Sequence, residues 1–361
     1  MTNDSYDQAA RLLQEARALP NGDVQLRMTE EAVRLVDRSG DPDFQFYARL
    51  KLVEAATFSG KREKSLAAFA WCLSAFQAEP TRYDHYEHDL LWGFKYMLSE
   101  AIELPQISRA EFEQLAAQMV ELYRRGGYNL RPVHSLQMQF AVSTGEYEIA
   151  RAELQRYRRM ERDPLADCAA CEDSNDTEVA GLAGDFKKML ALSEPALAGR
   201  VSCATVPHDT CADCLWPLAM LGRYEEADAN QRRGYRLIRN NSSFLRSTGR
   251  HMAYLVHRNR QRAALGILER HLSWALDTFQ LWSQYHFFVA ARSLMRLVGE
   301  KKTQIKLNLP APFPLYQKSG EYETAVLVQW FEEKVNTVGE RFNQRNGNQF
   351  ATTEFLQQLE Y

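Results

Sequence analysis

The sequence lacks any long apolar run. No window approaches the roughly 18 continuous apolar residues that a bilayer-spanning helix needs, which argues against a helical membrane protein. Its opening residues, Met1-Thr2-Asn3-Asp4-Ser5-Tyr6-Asp7, hold no basic segment followed by an apolar stretch, so no export signal is expected. Alternating strands with hairpin turns are missing, Thr303–Leu309 being the nearest exception, and this excludes a β fold. An excess of one charge is missing too. With 44 Lys and Arg against 47 Asp and Glu, the net charge of −3 exerts no global pull on nucleic acid or membrane. Catalytic signatures are absent: no Gly-x-Ser-x-Gly, Walker loop, Gly-x-Gly-x-x-Gly or His-Glu-x-x-His occurs. Cysteine is scarce, 6 in 361 residues. Without an export signal these thiols are expected in the reducing cytoplasm, where metal binding takes precedence over disulfides. The expectation is a cytoplasmic, non-enzymatic protein.

What is present is helical periodicity. Ala9, Ala10, Leu12, Leu13, Ala16 and Leu19 form one stripe, Asn21-Gly22 breaks it, and a second runs through Leu26, Met28, Ala32, Val33, Leu35 and Val36. A stronger pattern recurs along the chain. Gly145-Glu-Tyr-Glu-Ile-Ala150, Gly184-Asp-Phe-Lys-Lys-Met189 and Gly222-Arg-Tyr-Glu-Glu-Ala227 share a glycine turn, an aromatic two residues on and a small or apolar sixth residue. The glycines are 39 and 38 residues apart; Asn259-Arg-Gln-Arg-Ala-Ala264 follows 37 on, with Asn replacing Gly, and Gly60-Lys61-Arg62 precedes the series. A left-handed glycine ends one helix and the sixth residue lets the next helix approach. Thr177 and Met189 depart from the small residues expected at their positions.

Leu221-Gly222-Arg223-Tyr224-Glu225-Glu226-Ala227 resembles the Gly-x-Tyr-x-x-Ala turn of the tetratricopeptide repeat (TPR), over roughly residues 25–300 and with units longer than that family's ~34 residues. The central and C-terminal patterns also resemble a bacterial family of helical-repeat proteins with an embedded Cys/His zinc site. The expected fold is all-α, a solenoid of TPR-like hairpins with a concave groove. Its segments are N-terminal hairpins at 1–130, repeats with a Cys/His cluster at 131–300, and a Pro-containing strap with a capping helix at 301–361.

Five cysteines crowd into Cys168-Ala-Ala-Cys171, Cys203 and Cys211-Ala-Asp-Cys214, with His208 among them. A Cys-x2-Cys knuckle supplies two thiolates, and a structural zinc ion requires four ligands. A count alone suggests Cys168, Cys171, Cys211 and Cys214. The repeat register places Cys211 and Cys214 inside a packing helix, whereas Cys168, Cys171, Cys203 and His208 fall in equivalent connections of adjacent hairpins and form the favoured set. Pro217 opposes this, since proline disfavours helix just before it.

His85 and His88 read as solvated residues at a helix start. The stretch Arg223–Arg262 holds ten arginines; nucleic-acid binding there is the weaker reading, because Glu225, Glu226 and Asp228 offset the charge and no stacked aromatics accompany them. The favoured function is a scaffold or adaptor that takes a protein or peptide partner in the groove. The TPR resemblance implies Gln139, Trp216, Met220, Arg246 and Arg250 as groove residues, with Trp216 foremost. A regulatory or sensor subunit of a bacterial defence or signalling assembly is the alternative. The prolines at 310, 312 and 314 forbid helix after Thr303, and this strap is expected either to lead to a capping helix or to lie in the groove and occlude it.

Overall fold

A computed structural model describes residues 2–359, so the outermost positions of the expected segments, 1 and 360–361, lie outside the described residues. The chain is all-α, built from successive antiparallel hairpins. They are α1 (Thr2–Arg17) with α2 (Asp23–Ser39), α3 (Pro42–Phe58) with α4 (Arg62–Ala78), and α5 (Glu87–Glu103) with α6 (Arg109–Arg125). There follow α7 (Arg131–Ser143) with α8 (Tyr147–Arg159) and α9 (Ala169–Leu182) with α10 (Phe186–Leu197). A split arm, α11 (His208–Asp213) and α12 (Leu215–Met220), then pairs with α13 (Tyr224–Ile238), and α14 (Leu245–His257) with α15 (Gln261–Asp277). The last hairpin joins α16 (Leu281–Gly299) to α17 (Thr324–Asn346), and α18 (Glu354–Leu359) follows.

The repeat turns share one geometry. Gly60, Gly145, Gly184 and Gly222 have φ between 70° and 77°, and Asn259, at 55°, is the one non-glycine with positive φ among the described residues. At each, the next amide donates to the carbonyl five residues back: Lys61 to Ala56, Glu146 to Ala141, Asp185 to Ala180, Arg223 to Leu218 and Arg260 to Leu255. This Schellman closure satisfies carbonyls the helix end would orphan, and only Gly or Asn enters it cheaply. The sixth residue is fully buried as Ala150, Ala227 and Ala264. Met189 fits the same place because Gly181 faces it, where an added Cβ would lie 3.1 Å from its sulfur. The large residue on one helix is matched by a missing side chain on the other.

Pro217 breaks the arm between α11 and α12, because it has no N–H to donate to Asp213; Cys214 stands at the joint. The expected single helix is therefore two short ones. The strap also differs from one expectation. Its Gln304–Lys306 forms β1, antiparallel to β2 (Glu321–Glu323), with Ile305 opposite Tyr322. Ile305, Leu307 and Leu309 alternate inward with Phe313 into the core of α14–α17.

Each hairpin packs on its neighbours in order, but the array curls until its second and third hairpins meet the seventh and eighth. Asn241 Nδ2 donates to the Phe58 carbonyl at 3.1 Å, Ser242 Oγ to that of Ser59 at 3.1 Å, and Lys61 pairs with Asp277. Gln280 Nε2 reaches Glu100 at 3.2 Å, and Arg345 Nη1 donates to the Ile102 carbonyl at 2.7 Å. The expected open groove is thereby closed into a central chamber.

Candidate metal centre and central chamber

Two loops on one edge of the array carry the thiols. The first, between α8 and α9, is tied down by buried charges. Arg131 pairs in bidentate fashion with Glu172 at 2.9 Å, donates to the carbonyls of Tyr157 and Met160, and lies over the Tyr157 ring. Lys95 Nζ donates to the Leu165 carbonyl at 2.9 Å and to Asp167 at 2.6 Å. These anchors set Cys168 at the N-cap of α9 and Cys171 in its first turn. In the second loop, Val206 packs with Ala170 and Ala196 and brings Cys203 against α9.

The sulfurs of Cys168, Cys171 and Cys203 all lie within 4.8 Å of one another, with Cys171 and Cys203 3.4 Å apart. Zinc–sulfur bonds of about 2.3 Å in a tetrahedron place sulfurs about 3.8 Å apart, so the donor set fits a metal. Cys203 is the thiol held low, by the hydrogen bond from Cys171 and by the amide and hydroxyl of Thr205. His208 is not in this group. Its ring stacks on Phe244 at 5.2 Å, and its buried Nδ1 has no partner among the described residues. Burial keeps the imidazole neutral, opposed by the charge of Cys203. Cys211 and Cys214 lie elsewhere, fully buried in helix packing, where burial pushes their thiols up to about 11 and about 12. His85 and His88 form no metal group among the described residues; His88 contacts the Pro164 carbonyl instead.

The second feature is the chamber, of about 330 Å³, room for roughly ten waters. Residues of α5, α7, α9, α11, α12, α14 and α16 supply most of its lining, joined by Arg62 of α4 and by Phe186 and Met189 of α10, while α6, α8, α13 and α15 contribute nothing. Gln139, Trp216, Arg246 and Arg250 all face it. Met220 does not: it is four residues, about 6 Å, further along the axis than Trp216, and lies exposed at the end of α12. The strap does not occlude this space, since no residue from 303 to 323 lines it; Phe350 and Phe355 of the C-terminal tail do. Phe350 seats on Gly145, and Phe355 stacks on Trp282 at 4.4 Å.

The sequence reading missed the chamber's carboxylates. Arg62 pairs with Glu100, and Arg250 with Asp213. Glu103 accepts from the amide and hydroxyl of Ser283 at 3.1 and 2.9 Å, and Asp209 accepts from Ser247. Burial pushes Glu100 and Glu178 up to about 7 and Asp209 to about 6, against the opposing pull of the arginines. Burial also works against the charge of Arg246, but Asp213, Asp209, Glu103 and Glu178 more than overcome it. The repeat register could have found the essential one. Gln139, Glu178, Trp216 and Ala253 each stand six positions before their turn residue, and all four line the chamber.

Of the arginine-rich stretch, Arg223, Arg258 and Arg260 are engaged by Glu226 and Asp228, and Arg246 and Arg250 point inward. No helix among the described residues is long and apolar enough to cross a membrane. No protein-family model matches the chain, and a search of curated proteins finds no match.

Proposed function

We propose that this is a non-catalytic, TPR-like binding protein whose curled solenoid holds a short segment of a protein or peptide partner in its central chamber. The observation that carries this reading is the lining. The position six residues before each turn recurs from unit to unit as Gln139, Glu178, Trp216 and Ala253, and each time it faces the cavity. The shared left-handed turns support the TPR resemblance. A concave space that combines aromatic walls with converging polar groups is the form ligand sites take, and no hydrolytic motif accompanies it.

The three-thiol centre completes the reading as a structural zinc site. Zinc bound there would tie the loop before α9 to the loop before α11, fixing the angle between two hairpins that both line the chamber. His208, whose buried Nδ1 lacks a partner, is the residue suited to complete the four ligands by a side-chain rotation. A regulatory or sensor subunit in a bacterial assembly is one biological setting such a binding protein would suit.

The test is a photo-cross-linking amino acid placed at Gln139, at Trp216 or at Met220 in the full chain in its native cells. Cross-links to one partner segment from positions 139 and 216 and not from 220 are expected. Equal capture from all three positions, or from 220 alone, would reject the chamber as the binding surface.

A further inference from the structure

The chamber wall carries five carboxylates (Glu100, Glu103, Glu178, Asp209 and Asp213) against three guanidiniums. Two of the carboxylates are consumed by Arg62 and Arg250, and two more accept from Ser283 and Ser247. Glu178 is left with no hydrogen bond or ion pair among the described residues. Arg246 likewise makes no direct ion pair, standing as a shared counter-ion to Asp213, Asp209, Glu103 and Glu178 from a distance. Beyond the two carboxylates already paired, one arginine thus serves three acids, and what the space lacks is positive charge. The imidazole behind this wall supplies none: His286 is buried and held neutral, first by burial and then by Arg250 and Arg246.

The remaining surfaces suit a cation. Trp216 and Phe186 meet edge to face at 6.1 Å on the lining, beside Phe58 and Phe244. Aromatic faces attract ammonium and guanidinium groups, more strongly out of water. A carboxylate occupant would meet the acid excess; a wholly apolar one would leave Glu178 buried and unpaired, which is costly. The volume admits an extended side chain with its adjoining backbone and nothing folded.

We propose that the occupant of the chamber presents a positively charged nitrogen, the lysine or arginine side chain of a peptide segment, to Glu178 and Asp209, with Trp216 and Phe186 against its stem. This rests on the reading of the chamber as the binding site. Glu178 is faced by Arg246 and Arg250 of α14 and by Asp209 and Asp213 of α11, and the cation replaces the proton that Glu178 otherwise takes up.

Calorimetric titration of the full chain with acetyl-Gly-X-Gly-amide tripeptides tests this, X being arginine, lysine, citrulline or glutamate. Arginine is expected to bind about ten-fold or more tightly than citrulline, its uncharged isostere. Glu178→Gln should remove most of that preference, Asp209→Asn should reduce it, and the preference should shrink as pH falls from about 8 to about 5. Equal binding of arginine and citrulline, or a preference unchanged in both variants, overturns the proposal. Binding of the glutamate peptide with amide protection of α9 and α14, and none by arginine, would overturn it while leaving the chamber reading intact. If no tripeptide protects the chamber, both fail.

Discussion

At the scale of single residues, the chamber stores a cost that Glu178 reveals. A carboxyl pushed up from 4.5 to about 7 is less stable ionised in the folded chain than in the unfolded one. That cost is absent below the ordinary carboxylate pKa, grows as pH rises from 4.5 to about 7, and is fully present above. Glu178→Gln should therefore stabilise the fold at about pH 8 by on the order of 1–3 kcal/mol, seen as a higher melting temperature, and change little at about pH 4. A thermal-melt series over pH checks this; equal stabilisation at both ends would mean that the effect is packing, not ionisation. A second prediction concerns Gly145. A Cβ there would lie 2.4 Å from Phe350 in addition to the strain of φ 77°, whereas at Gly222, with φ 70°, it meets nothing within 4 Å. Gly145→Ala should destabilise more than Gly222→Ala, whose cost is about 1–2 kcal/mol of backbone strain, and Phe350→Ala should abolish most of the difference between them.

At the scale of elements, the two cysteine loops are held unequally. The loop before α9 keeps Lys95 and Arg131 as anchors whether or not metal is bound, while the loop from 199 to 207 is held by the packing of Val201 and Val206 and by the Arg200 and Val201 amides on the Pro195 carbonyl. Removing zinc with a chelator, or Cys168→Ser, should accelerate amide exchange in 199–207 far more than in 160–168. Metal analysis of the purified chain should find zinc near one per chain, lost in the variant. Zinc-free protein with unchanged exchange in both loops would reject a structural role for the centre. The hairpins were legible in the sequence because a left-handed turn demands Gly or Asn, and so Gly145, Gly184, Gly222 and Asn259 marked them directly. The thiol cluster was partly legible, since register places connecting loops on one edge. The ring of His208 was not, because its stacking on Phe244 depends on a residue 36 positions away in another hairpin. The split at Cys214 followed from Pro217, which the sequence reading noted but weighed below the helix register.

At the scale of the whole molecule, closure shapes the proposed binding site. Periodicity reports which face of each helix is apolar and not how far a stack of hairpins curls, since curl accumulates from small rotations at each interface. The bonds that close this ring, Gln280 to Glu100 and Arg345 to Ile102, join residues 180 and 243 positions apart and have no local signature. For the same reason, the two phenylalanines of the tail gave no sign that they would enter the chamber. With the ring closed, inner positions that an open groove would leave in water become a low-dielectric wall, and under the proposed function it is their charges that would select an occupant. The most direct measurement is amide exchange of the full chain, alone and with the segment captured through the cross-link at position 139. The account predicts protection together in 175–182, 209–220 and 246–253, the inner helices. Protection confined to α8, α13 and α15, with those three windows unchanged, would contradict it.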